Sequence, residues 1–253
     1  MVMKVMVISD LHFDKRVIHG IDESKVWSWL LGIVDYHKPD LLLSCGDWGT
    51  AINYEGFYDL LKRTIVLSIY GNHENLDVLS RLYNVKTESY LPVLMEDGRL
   101  YEISKLRIAG VNGNIHLKKR TRKGVPRGKP DDFLDVAEKL RKIKIDVLLV
   151  HETSYLPEQF PFMRDSVGAR TSLKLIETVK PKLVFNGHKH SGGIKFYNFP
   201  WDTKYLYIDS SQAHKHYVLF YPEHSKIEVW RDLELFKIVD VKMSYQDIAK
   251  VEV

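Results

Sequence analysis

Val5-Met6-Val7-Ile8-Ser9-Asp10-Leu11-His12 is an apolar run that stops at an acid and an imidazole. The same pattern recurs four more times along the chain. Residues 41–43 lead into Gly46-Asp47, residues 65–69 into Gly71-Asn72-His73-Glu74, residues 147–150 into His151-Glu152, and residues 183–185 into Gly187-His188-Lys189-His190. Short apolar runs bounded by turn residues read as buried strands. Polar residues at the ends of separate strands can meet at one rim of a sheet, where α/β folds bind their ligands. Gathered there, these tails form an oxygen- and nitrogen-rich cage large enough for two divalent metals. A metal-dependent hydrolase is the leading reading.

The rest of the chain agrees with an ordinary globular enzyme. Of 253 residues, 45% are hydrophobic and 28% charged, enough for a real core. The formal charge of +4 suits an anionic substrate but is too weak to imply nucleic acid on its own. Cys45 is the single cysteine, so no intrachain disulfide forms, and its apolar surroundings mark it as a small buried hydrophobe. The first eight residues run straight into Asp10 with no room for a signal sequence, and no apolar run nears the ~20 residues of a membrane span. A cytoplasmic protein with no membrane partner is expected.

Periodicity supplies the organisation. Asp22 or Ser24 caps a helix whose apolar face carries Val26, Trp29, Leu30, Ile33 and Val34, and Pro39 ends it. Residues 54–62 and 75–83 read as two short helices, so the first half alternates strand and helix and predicts a mainly parallel sheet. Two apolar runs flanking Asp97-Gly98 predict a hairpin turning there. Residues 114–129 are polar, and Lys118-Lys119-Arg120-Thr121-Arg122-Lys123 reads as a solvated mobile loop that could overhang the site. Helices are expected over 130–143 and 170–179. Strands are expected over 194–199, 205–208, 217–221, 227–230 and 236–241. One domain over residues 1–253, built from two sheets, is the result, with residues 231–253 the least certain part.

Aspartate, asparagine and histidine together suit borderline metals such as Mn, Fe, Co or Zn. Asp47 is the natural bridge, because a carboxylate can span two cations ~3.5–4 Å apart. Asp10 and His12 lie two apart on what reads as an extended segment, so both would point to one side; His188 and His190 do likewise, with Lys189 facing away.

The ordered motifs D-x-H, G-D, G-N-H-[DE], H and G-H-x-H resemble the calcineurin-like metallophosphoesterase superfamily, from Val5 to about Trp230. The resemblance implies a four-layer αββα sandwich with a dinuclear metal site at the C-terminal strand ends. It implies one metal on Asp10, His12, Asp47 and His190, and a second on Asp47, Asn72, His151 and His188, with Mn, Fe, Ni, Co or Zn as candidates. His73 would donate a proton to the leaving oxygen or stabilise the transition state, while the two metals generate a bridging hydroxide. A phosphodiesterase is the favoured activity. A nuclease related to double-strand-break repair enzymes, or a phosphomonoesterase, is the alternative, and a metal-free interaction scaffold is the last choice. The partner is a phosphate-ester substrate, with nucleotides and nucleic acids in scope.

One departure stands out. Gly46-Asp47-Trp48-Gly49-Thr50 lacks the second aspartate and the arginine of the G-D-x-x-D-R-G motif in phosphoprotein phosphatases, which argues against a protein phosphatase. It also leaves the group that orients His73 open, with Glu74 and Asp14 as candidates. Trp48 reads as a packed aromatic. Arg16 and Arg170, with Asn72, are candidate substrate contacts, although solvent exposure is the plainer reading of both arginines. His214 and His216 read as surface or core histidines.

Overall fold

A computed structural model describes residues 2–118, 120–122 and 124–241. The first half lays down β1 (Val5–Ile8), a small hairpin of β2 (Val17–Ile18) and β3 (Ile21–Asp22), α1 (Val26–His37), β4 (Leu41–Ser44), α2 (Tyr54–Leu61), β5 (Ile65–Ser68) and α3 (Leu76–Leu79). A middle portion adds β6 (Tyr101–Ile103), β7 (Leu106–Val111), β8 (Asn114–Ile115), β9 (Arg120–Arg122), β10 (Val125–Gly128) and α4 (Pro130–Leu140). The remainder comprises β11 (Val147–Val150), α5 (Val167–Val179), β12 (Leu183–Asn186), β13 (Ile194–Asn198), β14 (Lys204–Ile208), β15 (His216–Tyr221), β16 (Lys226–Arg231) and β17 (Glu234–Asp240).

Two six-stranded sheets result. One runs β17-β16-β15-β1-β4-β5, with β1, β4 and β5 parallel and the last three strands antiparallel beside them. The other runs β13-β14-β12-β11-β7-β6, with β7, β11, β12 and β14 parallel and an antiparallel strand at each edge. Strand alternation sorts side chains between layers. Val5, Val7, Leu41 and Leu43 face Val147, Leu149, Leu183 and Phe185 in a core between the sheets. Met6, Ile8, Leu42 and Val66 face the other way, onto Val26, Leu30, Ile33 and Phe57 of α1 and α2. On the far side Leu148, Val150 and Val184 meet Phe133, Leu140, Leu175 and Ile176 of α4 and α5. Helix, sheet, sheet and helix form the expected four-layer αββα sandwich. Among the described residues no helix is long and apolar enough to cross a membrane.

Four local expectations are corrected. The hairpin turns at Ser104-Lys105, both with positive φ, and not at Asp97-Gly98. The run before Asp97 is drawn to the first sheet instead: Ser68 N donates to Val93 O and Met95 N to Ser68 O. That pull also shortens the helix expected over 75–83, since Val93 N takes the carbonyl of Leu82. Asp22 caps only a single 3-10 turn through Ser24 N, and α1 starts after it. Finally, the basic segment is not a loop. Its residues Arg120–Arg122 form one strand of a three-stranded ribbon, β8-β10-β9, while Lys119 and Lys123 lie outside the described residues. Residues 242–253 of the expected C-terminal tail do so too, whereas residues 234–240 form a strand. Trp48 is fully buried against Trp27 and Phe57, and its Nε1 donates to Ser68 Oγ, so it packs and does not wall a pocket.

Candidate metal centre

Three of the five polar tails leave their strands through left-handed residues, not in extended alternation. Asp10, His12, Asp47, His188 and His190 all have φ between 48° and 78°. Left-handed backbone at a residue with a Cβ costs of order 1–3 kcal/mol, and such residues cluster at functional sites. The turns are locked to one another. Asp10 N donates to Gly46 O, His12 N to Asp47 O, and Gly49 N to His73 O. Glycine permits the close approach: a Cβ on Gly71 would collide with Asp47 Oδ1, and one on Gly187 with Asp10 Oδ2.

Two groups of ligating atoms result, each within 4.8 Å of one another: Asp10, His12, Asp47 and His190 in one, Asp47, His151 and His188 in the other. Asp47 belongs to both. Its Oδ2 lies 3.5 Å from His12 Nε2, and its Oδ1 lies 3.5 Å from His151 Nε2. Asp47 Oδ2, Asn72 Oδ1 and His151 Nε2 are buried with no hydrogen-bond partner. Buried polar atoms are almost always paired, so orphaned lone pairs among these ligand residues suit coordination of a cation. The donor set of carboxylates, imidazoles and one amide oxygen fits two borderline divalent ions.

Outer contacts hold these atoms in place. His151 Nδ1 lies 2.7 Å from the carbonyl of Cys45, which can only accept, so the proton sits on Nδ1 and Nε2 is free to ligate. Asp10 accepts from Ser9 Oγ and from the amide of His188. Glu74 accepts the amides of Asp47, Trp48 and Gly71, joining two of the turns. Asn186 Nδ2 donates to the carbonyls of Val150, His151 and Glu152, and is itself held by Tyr205. Burial alone would raise Asp47, but the imidazoles of His151 and His12 hold its carboxyl below the usual range. Burial likewise opposes a charge on His12, yet its bond to Asp10 and the charge of Asp47 push it up to about 9. The pocket's fixed field is one that favours cations.

The sequence profile of the calcineurin-like phosphoesterases matches residues 3–192. The chain belongs to that family. Its phosphoesterase fold is shared with solved structures of low identity. A protein from Thermus thermophilus superposes with a TM-score of 0.63 at 13% identity, covering 92% of this chain and 100% of its own. A dimetal phosphatase from Danio rerio gives 0.53 at 10% identity, over 94% and 99% of the two chains. GAP50, the anchor in the inner membrane complex of Plasmodium, gives 0.55 at 10% identity, over 94% and 88%. No curated protein matches the sequence.

Within this phosphoesterase the remaining expected residues divide. Asn72 and His73 border a small cavity beside the cluster, and the His73 ring stands edge-on to His12 at 5.1 Å. Arg16 is paired with Asp14 and Glu23, at 3.0 and 2.7 Å. Arg170 grips Asp165 through two nitrogens and lies over the Tyr155 ring. Carboxylates close in sequence capture both guanidiniums, so neither is brought to the cluster. Of the two candidate orienters of His73, Asp14 is taken up by Thr50 and Arg16, and Glu74 by the three amides above.

Three further side chains stand at the site, of which Asp209 had no expected place and Arg122 and Arg127 belong to the basic stretch that could overhang it. Asp209 is fully buried with no hydrogen bond to Oδ2, which lies 3.9 Å from His190 Nδ1 and 3.8 Å from His214 Nε2. It follows β14 directly, so the strand-ending rule that found the five tails points to it too. Arg122 and Arg127 face Asn72 and His73 across the small cavity. They sit on the ribbon, whose alternating pattern is obscured by its charge.

Proposed function

We propose that this chain is a dinuclear metal-dependent phosphodiesterase, a single catalytic domain that works in the cytoplasm. The observation that carries the reading is the pair of ligand groups sharing Asp47, with the His73 ring beside His12 and buried ligand atoms left without hydrogen bonds. Asp10, His12, Asp47 and His190 would hold one ion; Asp47, Asn72, His151 and His188 would hold the other. Mn, Fe, Ni, Co and Zn all suit that donor set. When bound, two such ions supply a water of lowered pKa and neutralise charge on the phosphoryl oxygens.

The chain's own residues do the rest. Asp47 keeps the two ion sites in register. Asn72, with its buried amide oxygen, sits between the cluster and the substrate cavity. His73 borders the same cavity, where its imidazole would protonate the departing oxygen. Protein phosphatases are disfavoured because the second motif lacks their aspartate and arginine.

The test is hydrolysis of bis-p-nitrophenyl phosphate against p-nitrophenyl phosphate, using metal-stripped protein refilled with Mn, Ni, Co, Zn or Mg. Metal-dependent turnover biased to the diester is expected. A monoester bias would replace the reading with a phosphatase, and no turnover with two bound equivalents would remove it.

A further inference from the structure

The ribbon brings Arg120, Arg122 and Arg127 onto one face. Arg127 pairs directly with Arg120 across β9 and β10, and Arg122 lies two residues along the same strand face. Like charges placed opposite each other destabilise a ribbon unless something offsets them. Among the described residues none of the three makes an ion pair or a side-chain hydrogen bond, and only the carboxylates of Glu152 and Asp47, beyond ion-pair reach, oppose the repulsion at Arg127. A guanidinium cannot shed its proton to relieve the repulsion. Arg127 registers the crowding, since burial first, and then Arg122 and Arg120, pull it below its ordinary range.

The position of this charge is informative. Arg122 and Arg127 border the small cavity together with Asn72 and His73. Arg127 also lines a second cavity of about 670 Å³, between the ribbon and α4, whose walls include Tyr70, Pro126, Phe133, Asn112 and Asp135. That volume is in the range of small-molecule sites, and its mix of rings and polar groups suits a nucleoside-sized body. Arg127 is therefore shared by the reaction cavity and the larger cleft.

Building on the phosphodiesterase reading, we propose that Arg122 and Arg127 form a subsite for a second phosphate, next to the phosphoryl group attacked at Asn72 and His73, and that the cleft beyond Arg127 seats the organic part of the substrate. The substrate class is then a nucleotide carrying two neighbouring phosphates. Guanidiniums suit that task, because their planar forks match phosphate oxygens. Two sources share the chemistry: a pyrophosphate-linked nucleotide, or a 5′-phosphorylated dinucleotide.

The test compares wild type with Arg122→Gln/Arg127→Gln and with the charge-keeping Arg122→Lys/Arg127→Lys. Substrates are bis-p-nitrophenyl phosphate, diadenosine diphosphate and 5′-phosphorylated dithymidylate. The glutamine variant should raise KM for the source that fits by roughly 10–100-fold, the scale of a lost charged hydrogen bond, with a much smaller change in kcat. Its loss on bis-p-nitrophenyl phosphate should be at least about tenfold smaller, and lysine should recover part of the affinity. Equal losses on all three substrates would overturn the subsite. Binding of inorganic pyrophosphate to the metal-free proteins, by calorimetry, separates this idea from the one beneath it. Wild type should bind pyrophosphate about tenfold or more tighter than the glutamine variant even if no ester is turned over. Identical binding would end the proposal, whatever became of the phosphodiesterase reading.

Discussion

The Nε2 atoms of His12 and His190 lie 3.0 Å apart, with Asp10 Oδ1 3.7 and 3.8 Å from them. Two imidazoles aimed at each other this closely leave room for one proton at most, and a cation satisfies both lone pairs. Asp47 ties this group to the second one. Asp47→Asn should therefore weaken both sites together, by roughly tenfold or more each, as loss of a charged ligand does. Metal content after dialysis, and the rise in Tm on adding Mn or Zn, measure it. Two retained equivalents would show that Asp47 is no bridge.

His73→Ala should leave metal content intact, because the imidazole belongs to neither ligand group. Turnover of diesters with alkyl leaving groups should fall by ~10²–10⁴, and p-nitrophenyl esters should suffer less, since their leaving group needs no proton. The contrast between the two leaving groups is the readout. An equal loss on both would assign His73 another role.

Glu74→Gln keeps the shape and removes an acceptor. Three amides converge on the Glu74 carboxylate, and an amide side chain would turn an NH2 toward at least one of them. Leaving a buried donor unpaired costs about 1–3 kcal/mol. A lower urea midpoint at unchanged slope is expected, along with weaker metal retention from a displaced Asp47 turn. Unaltered stability would mean the turns do not depend on this contact.

Stability should also carry an acid signature from His37. Tyr217 donates its hydroxyl proton to Asp232 O, so the 2.8 Å contact from His37 must have Nε2–H as donor. Burial, and then the charge of Lys4, lower His37 from its ordinary 6.5 to about 4. Between those values the unfolded chain binds the proton and the folded one does not. The contribution is therefore whole above 6.5 and is lost as pH falls toward 4, by at most about 2 kcal/mol after solvent screening. Urea midpoints near pH 7 and pH 5 should converge more closely in His37→Gln than in wild type. Equal pH sensitivity in the two proteins would refute the assignment.

Much of this was readable because it is local. A buried strand announces itself in four or five apolar residues, and the polar group that ends it is adjacent in sequence; all five tails follow that rule. The left-handed turns at Asp10 and His12 were not readable, because tertiary hydrogen bonds to Gly46 and Asp47 impose them against the residues' own preference. The displaced hairpin has a similar cause, since residues 93–95 had a better partner in β5 than across Asp97-Gly98. Arg16 and Arg170 could be judged only once Asp14, Glu23 and Asp165 were placed around them.

The sheet order has a consequence for how the chain is made. β1 lies between β4, which follows it closely, and β15, which pairs Val5 with Phe220. Ser9, beside the first ligand, gives its amide to Ser210. A nascent chain that has emerged only through the first half can therefore assemble β1, β4 and β5, yet must hold that sheet with one flank of β1 unpaired. Asp10 and His12 meet His188 and His190 only once residues 183–190 are out and folded. Vectorial synthesis thus makes completion of the centre a late event. The two ligand groups cannot reach their final geometry before β12 and β15 have folded back beside the first strand.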